Sequence, residues 1–175
     1  TDSKALFDLL QRREAIGPTL VILPKWFASG PPPGLPAEAA GKFKRGWVVL
    51  NGSDTQAWTA DLPAPYGFEH LSEQLEAGEA PDWEGLGLSG TLPTRTILYV
   101  DENDNHEPLI QDVAGHRLAF KVLGTKGNNF YVDAHWPIFV TEPDLMNNFG
   151  LADRNRAKAA LALVRAANYD DDEIT

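Results

Sequence analysis

Cysteine is absent from the 175 residues, which excludes disulfides, thiolate metal sites and a cysteine nucleophile and leaves the redox compartment open. No apolar run approaches the ~20 residues that span a bilayer. No cluster of Lys and Arg offsets the net charge of −10, so nucleic acid and anionic lipid surfaces are disfavoured as main partners. Part of that charge is the acidic run 170–173, which reads as a solvated end. A signal peptide and an initiating Met are also lacking. Their absence creates the expectation of a piece of a longer protein whose targeting or anchoring segments lie elsewhere.

What is present is ordinary globular composition, 43% hydrophobic and 23% charged, long enough for a single domain over 1–175. Leu6, Leu9 and Leu10 give residues 3–16 a helical stripe that Gly17-Pro18 ends. Residues 19–23 and 46–50 are continuous apolar, β-branched runs, as in strands buried on both faces. A Pro/Gly-rich stretch separates them. Phe68 to Ala77 reads as a short helix within a long surface excursion over 54–93. Short strands follow at 96–100, 109–113, 118–122, 130–132 and 137–140, with a hairpin turn at Ala114-Gly115-His116. A helical turn and a helix over about 153–167 close the pattern, its buried stripe assigned to Ala157, Ala160, Leu161 and Val164. Helix and strands at one end, strand and helix at the other, predict an α/β fold: an open, mostly parallel sheet with inserted β-hairpins.

Most apparent motifs fail on their context. Gly85, Gly87 and Gly90 match G-x-G-x-x-G, but Pro93 stands where the helix of a dinucleotide site should run. Ser89 lacks the last glycine and the strand-to-helix turn of a nucleophile elbow. Asp101, Asn103, Asn105 and Asp112 imitate a calcium loop, yet His106 replaces its glycine and strands flank it, so a polar hairpin tip is the better reading. His70, His106, His116 and His135 have no ligand spacing, which assigns them to surface or packing roles. Trp26, Trp47, Trp58, Trp83 and Trp136 are scattered without basic neighbours, a thin basis for a stacking platform for sugars or single strands. Nothing in the chain calls for a cofactor or a metal.

One constellation survives. Lys25 and Trp26 follow the first strand; Asn51, Ser53 and Asp54 follow the second; Glu142 and Asp144 follow the strand at 137–140, with Asn147 and Asn148 just beyond. If the three strands are parallel, these loops share the carboxyl edge of the sheet, where open α/β sheets place ligands. A lysine among carboxylates there would bind a polar ligand. The competing reading is local: Thr141 and Asp144 form a capping-box-like pair, Pro143 suits a first helical turn, and Asn147 and Asn148 satisfy backbone groups where that turn ends. The local reading is the simpler of the two.

Two segments, Gly17-Pro18-Thr19-Leu20-Val21-Ile22-Leu23-Pro24-Lys25-Trp26 and Glu142-Pro143-Asp144-Leu145-Met146-Asn147-Asn148-Phe149-Gly150-Leu151, with Asn155, resemble a proteobacterial group in domain-of-unknown-function family 4350. The second is also similar to a segment of gliding-motility-type ABC-transporter auxiliary proteins. Relatives usually show Asp where this chain has Glu142. The resemblance implies a flavodoxin-like sheet like that of class I glutamine amidotransferases. It further implies an upstream strand–helix portion outside this chain, transmembrane anchoring by segments beyond it, and an extracytoplasmic place in an envelope assembly linked to an AAA-type ATPase. Amidotransferase catalysis needs a cysteine with a histidine partner, so the chain itself does not supply that activity. The expected function is a non-catalytic binding or scaffolding module, with a degenerate or unrecognised hydrolase using Lys25, Asp54, Glu142 or Asp144 as the alternative. The hydrolase requires those groups to converge within about 3–5 Å in a cleft, with shifted pKa values.

Overall fold

The computed structural model describes residues 3–12, 17–29, 49–79, 81–123, 136–147 and 150–168. Among the described residues two α-helices, α1 (Ser3–Gln11) and α2 (Arg154–Ala167), stand before and after ten strands. These are β1 (Leu20–Ile22), β2 (Trp26–Ser29), β3 (Val49–Ser53), β4 (Leu71–Gln74), β5 (Asp82–Gly85), β6 (Leu88–Thr91), β7 (Thr96–Tyr99), β8 (His106–Asp112), β9 (Arg117–Val122) and β10 (Ile138–Val140). Six of them form one sheet in the order β1-β10-β9-β8-β5-β6; β2-β3 and β4-β7 are separate two-stranded ribbons. Among the described residues no helix is long and apolar enough to cross a membrane.

The fold is therefore mostly β and mixed, not an open, mostly parallel flavodoxin-like or amidotransferase-like sheet. Within the six-stranded sheet, β1 and β10 are the one parallel pair, and every other ladder is antiparallel. The reason is the length of the connections. A parallel pair needs a long crossover, whereas two to five residues suffice for a hairpin. Leu86-Gly87 alone joins β5 to β6, with positive φ at both positions (51° and 72°) as a tight hairpin turn of the primed kind demands. Asp112 closes the β8–β9 turn, its Oδ1 accepting from the backbone N–H of Ala114 and of His116, each at 2.9 Å.

The strand read at 137–140 is buried as expected, whereas β1, expected to be buried on both faces, lies at the sheet edge with Leu20 and Val21 half-buried and Ile22 exposed. Around β10, Ile138 and Val140 join one core with Leu118, Ile110, Trp83 and, from α2, Ala159 and Leu163. Phe139 faces the opposite core, with Leu10 of α1, Phe68, Phe120 and Val122. A strand packed on both faces has no polar side to show, which is why 137–140 reads as a solid apolar run. Three local readings are corrected. Phe68 to Ala77 contains β4 rather than a helix. Residues 82–91, read as part of a loop, form the β5–β6 hairpin. Helix α2 is rotated from its expected face: Ala159, Ala160 and Leu163 are buried, while Leu161 and Val164 are exposed. The strand expected at 130–132 lies outside the described residues.

The G-x-G-x-x-G glycines acquire a structural account in this hairpin. A Cβ on Gly90 would stand 3.0–3.2 Å from the indole of Trp83, so glycine leaves the space that the buried ring fills. Asp112 is separated from Asn105 by the length of β8, roughly 20 Å of strand. Among the described residues no group of three or more His, Asp or Glu side chains is placed to hold a metal ion. Asn103 Oδ1 instead accepts the Asn105 N–H at 2.9 Å, a local turn.

Candidate functional site

Because β1 and β10 run parallel and side by side, the segments that leave them emerge at the same end of the sheet. Pro24 ends β1, and Lys25 follows directly. Val140 ends β10, and Thr141, Glu142 and Asp144 follow. A 3-10 turn, Pro143–Leu145, is capped at its start by Glu142, whose Oε1 accepts the Asp144 N–H at 3.0 Å. Capping was assigned above to Thr141; that residue instead donates its hydroxyl to the carbonyls of Arg117 and Leu118, at 3.0 and 2.9 Å. Proline at the first position of the turn costs no hydrogen bond there.

The ammonium of Lys25 sits at the centre of this end of the sheet. Its Nζ lies 2.8 Å from both oxygens of Glu142 and 2.8 Å from Asp144 Oδ2. Thr94 Oγ1 at 3.0 Å and the Thr96 carbonyl at 2.7 Å complete its shell. Glu142 Oε2 also accepts the Leu98 N–H at 2.9 Å. Asp144 accepts from the Trp26 indole at 3.2 Å, from the Thr94 hydroxyl at 2.8 Å and from the Asn147 side-chain amide. The side chains of Lys25, Glu142 and Asp144 are all 0% exposed.

Two carboxylates share one buried cation, so their protonation separates. Burial pushes the Glu142 carboxyl up to about 7; Lys25 opposes this and the Asp144 charge adds to it. Burial also acts upward on Asp144, but the Lys25 charge and the hydrogen bonds from Lys25, Thr94 and Trp26 outweigh it and hold that carboxyl below its usual range. The excess negative charge belongs to Asp144, and Glu142 is the member that takes up a proton. Every partner of Glu142 is a donor, which fits the carboxylate. Protonation must therefore displace one of them.

Of the residues singled out in the sequence, Lys25, Trp26, Glu142, Asp144 and Asn147 are brought together. Asp54 is exposed; its backbone N–H bonds the Lys25 carbonyl at 3.2 Å, while its carboxylate accepts the Thr55 N–H. Asn51 lies in β3, opposite Phe27 of β2. That strand is not in the main sheet, so the expectation of three parallel strands sharing one edge is met by two. Asn148 lies outside the described residues. The sequence reading missed Thr94, Thr96 and Leu98, which close the cluster from the start of β7, because no motif marks a backbone acceptor and donor.

His70 supports the same end of the sheet. Its Nδ1 accepts the Gln56 N–H at 3.0 Å and its Nε2 faces the Thr141 carbonyl at 3.2 Å, which requires the neutral ring protonated on Nε2. Burial lowers its pKa to about 4, against the pull of that carbonyl. His106 stacks on Phe120 with ring centres 4.0 Å apart, and burial followed by the Arg117 charge lowers its pKa to about 4 as well. Both are packing histidines, as expected. Trp83 is buried in the core, and Trp26, Trp58 and Trp136 are only partly exposed, so they present no common platform; Trp47 and His135 lie outside the described residues.

A cleft of about 500 Å³ lies elsewhere, between the β5–β6 hairpin and β8, lined by Glu84, Leu86, Ser89, Pro108 and Gln111 among others. No member of the Lys25 cluster lines it. Comparison of the chain with protein-family models, with curated proteins and with solved structures returns no match.

Proposed function

We propose that this chain is a non-catalytic binding or scaffolding domain, and that Lys25, Glu142 and Asp144 form its internal clamp. The observation that carries this reading is the sealing of the cluster. Three ionisable side chains with 0% exposure have all their close partners within the protein, and the cleft lies elsewhere. Among the described residues a substrate would have to displace the protein partners of Glu142 and Asp144 to reach them. The resemblance of two segments to a membrane-anchored family is the ground for proposing further an extracytoplasmic position in a bacterial envelope assembly, with another envelope protein as partner.

The hydrolase alternative has two observations in its favour: Lys25, Glu142 and Asp144, though not the exposed Asp54, converge at 2.8 Å, and the pKa of Glu142 is raised. The cleft beside the β5–β6 hairpin is lined by other residues. Wild type and Glu142→Gln separate the two readings when assayed for unfolding and for turnover of chromogenic esters, amides, glycosides and phosphate monoesters. The scaffold reading expects a change in stability and no turnover by either protein. Turnover that Glu142→Gln abolishes without unfolding the chain would transfer the assignment to a hydrolase. Envelope placement is tested by fractionation and protease accessibility in intact spheroplasts, where a cytoplasmic, protected domain would refute it.

A further inference from the structure

We propose that the cleft between the β5–β6 hairpin and β8 binds a primary ammonium on an alkyl stem, its three N–H donors shared among Ser89, Glu84 and Gln111. The three residues form one cross-strand row. Glu84 of β5 stands directly opposite Ser89 of β6 on one side and Gln111 of β8 on the other. Directly paired residues point to the same face of a sheet, with Cβ atoms about 4.5–5.5 Å apart. That face is turned away from Trp83, the neighbour of Glu84 in β5, whose ring is buried in the core. All three line the cleft of about 500 Å³, a volume that suits a small-molecule site.

The concavity arises where the sheet is irregular. The register of β8 on β9 passes from Pro108 opposite Phe120 to Ile110 opposite Ala119, so Leu109 is an extra, bulged residue. Pro108 beside it has no N–H to donate, which a strand tolerates at a bulge. Across from the bulge is Gly85. A Cβ there would overlap the Leu109 carbonyl and stand 2.7 Å from the Ile110 Cα, so only glycine lets β5 lie this close to β8. Bulges and strand glycines occur where a sheet re-aims side chains or admits a ligand. Leu109, Pro108 and Gly85 all line the same cleft.

The chemistry of the lining selects the ligand. Glu84 is the one ionisable group among the described residues that line the cleft. Glu84 and Ser89 are exposed and Gln111 is half-buried. Among the described residues none of the three side chains has a hydrogen-bond or ion-pair partner. A carboxylate, a hydroxyl and an amide carbonyl all accept, and a primary ammonium has three donors and no acceptor. The bond to the carboxylate is charge-assisted. Leu86 and Pro108 supply apolar wall for the stem. The net charge of −10 draws cations toward the chain and holds anions off. None of this rests on the role given to the Lys25 cluster.

The test is titration of the isotope-labelled chain with hexylammonium, followed by amide chemical shifts. Saturable shifts in the millimolar range are expected within residues 84–89 and 109–111. Glu84→Gln, at an exposed position, is expected to weaken binding about fivefold or more. Hexanol has the stem without the charge, and hexyltrimethylammonium the charge without an N–H donor; both are expected to bind more weakly by a similar factor. N-acetyl-lysine N-methylamide presents the same group from a blocked backbone. Binding at least as tight as that of hexylammonium identifies a lysine side chain as the natural source, and weaker binding a free amine. The proposal is overturned if neither hexylammonium nor the lysine probe shifts these amides saturably, or if hexanol or hexyltrimethylammonium binds as tightly. It is equally overturned if Glu84→Gln, folded as the wild type, binds unchanged. Ser89→Ala, which deletes one acceptor, decides in its place should that variant fail to fold.

Discussion

Replacing Lys25 with Met removes the cation and leaves two carboxylates buried together. Breaking a buried ion pair from one side costs about 3–5 kcal/mol, because the remaining charge is uncompensated. Here two charges remain, although Asp144 keeps the donors of Trp26, Thr94 and Asn147, and Glu142 keeps the N–H groups of Leu98 and Asp144. The loss should therefore lie within that range at pH 8. For a chain of this size it corresponds to a fall in melting temperature of about 6–20 °C. The loss should also depend on pH. In the wild type, Glu142 has a folded pKa of about 7, above its ordinary 4.5. Its contribution to stability is complete below 4.5 and is lost as pH rises through 7. Without Lys25 both carboxyls lose the influence that lowers their pKa, so the deficit of Lys25→Met grows from pH 5 to pH 8 and shrinks in acid. Urea unfolding followed by tryptophan fluorescence at the two pH values measures this directly. Adding Glu142→Gln to Lys25→Met removes one stranded charge and should recover at least half of the loss. A deficit below about 1 kcal/mol, or one of equal size at pH 5 and pH 8, would refute the reasoning.

Other consequences are open to the same measurements. His70 is held neutral with its pKa lowered from 6.5 to about 4, so the stability it contributes is present above pH 6.5 and is lost as pH falls through 4. His70→Gln should flatten that part of the stability profile by up to about 3 kcal/mol, and an unchanged slope counts against the assignment. Leu86 occupies the left-handed region at φ 51° in the β5–β6 turn; Leu86→Asn should raise stability by about 0.5–1 kcal/mol in the same urea titration, and any loss contradicts the turn geometry. Gly90→Ala should cost about 1–3 kcal/mol and alter the near-ultraviolet signal of Trp83, because the new methyl group meets a buried ring.

The sequence was informative where a residue's role is carried by its own neighbours. Strand β10, buried on both faces, announces itself as an unbroken apolar run, as does the half-buried edge strand β1, and their parallel pairing brings Lys25 to Glu142 and Asp144. The rest of the sheet was misread because parallel order was extended from that pair to β3, which bonds β2 instead. The β5–β6 hairpin was missed for a specific reason. Its turn uses Leu86-Gly87, without the Asn or Asp that normally signals a two-residue hairpin. Nor does local sequence say that Thr94 and the backbone of Thr96 and Leu98 close the charged cluster, since that contact is made about 70 residues from Lys25. The clamp and the capping turn were framed as alternatives, yet Glu142 does both.

The placement of β10 between β1 and β9 also has a consequence for how the chain is made. Synthesis delivers β1 early, but its neighbour in the sheet comes some 117 residues later, the separation of Leu23 from Val140. At about 5–20 residues per second, the β1 segment waits several seconds or longer with its apolar side chains unsatisfied. The hairpins β5–β6 and β8–β9 can close meanwhile, from purely local contacts. Insertion of β10, with Lys25 meeting its two carboxylates, is then the step that joins the earlier-made β1 to the rest, and its high contact order marks it as the slow one.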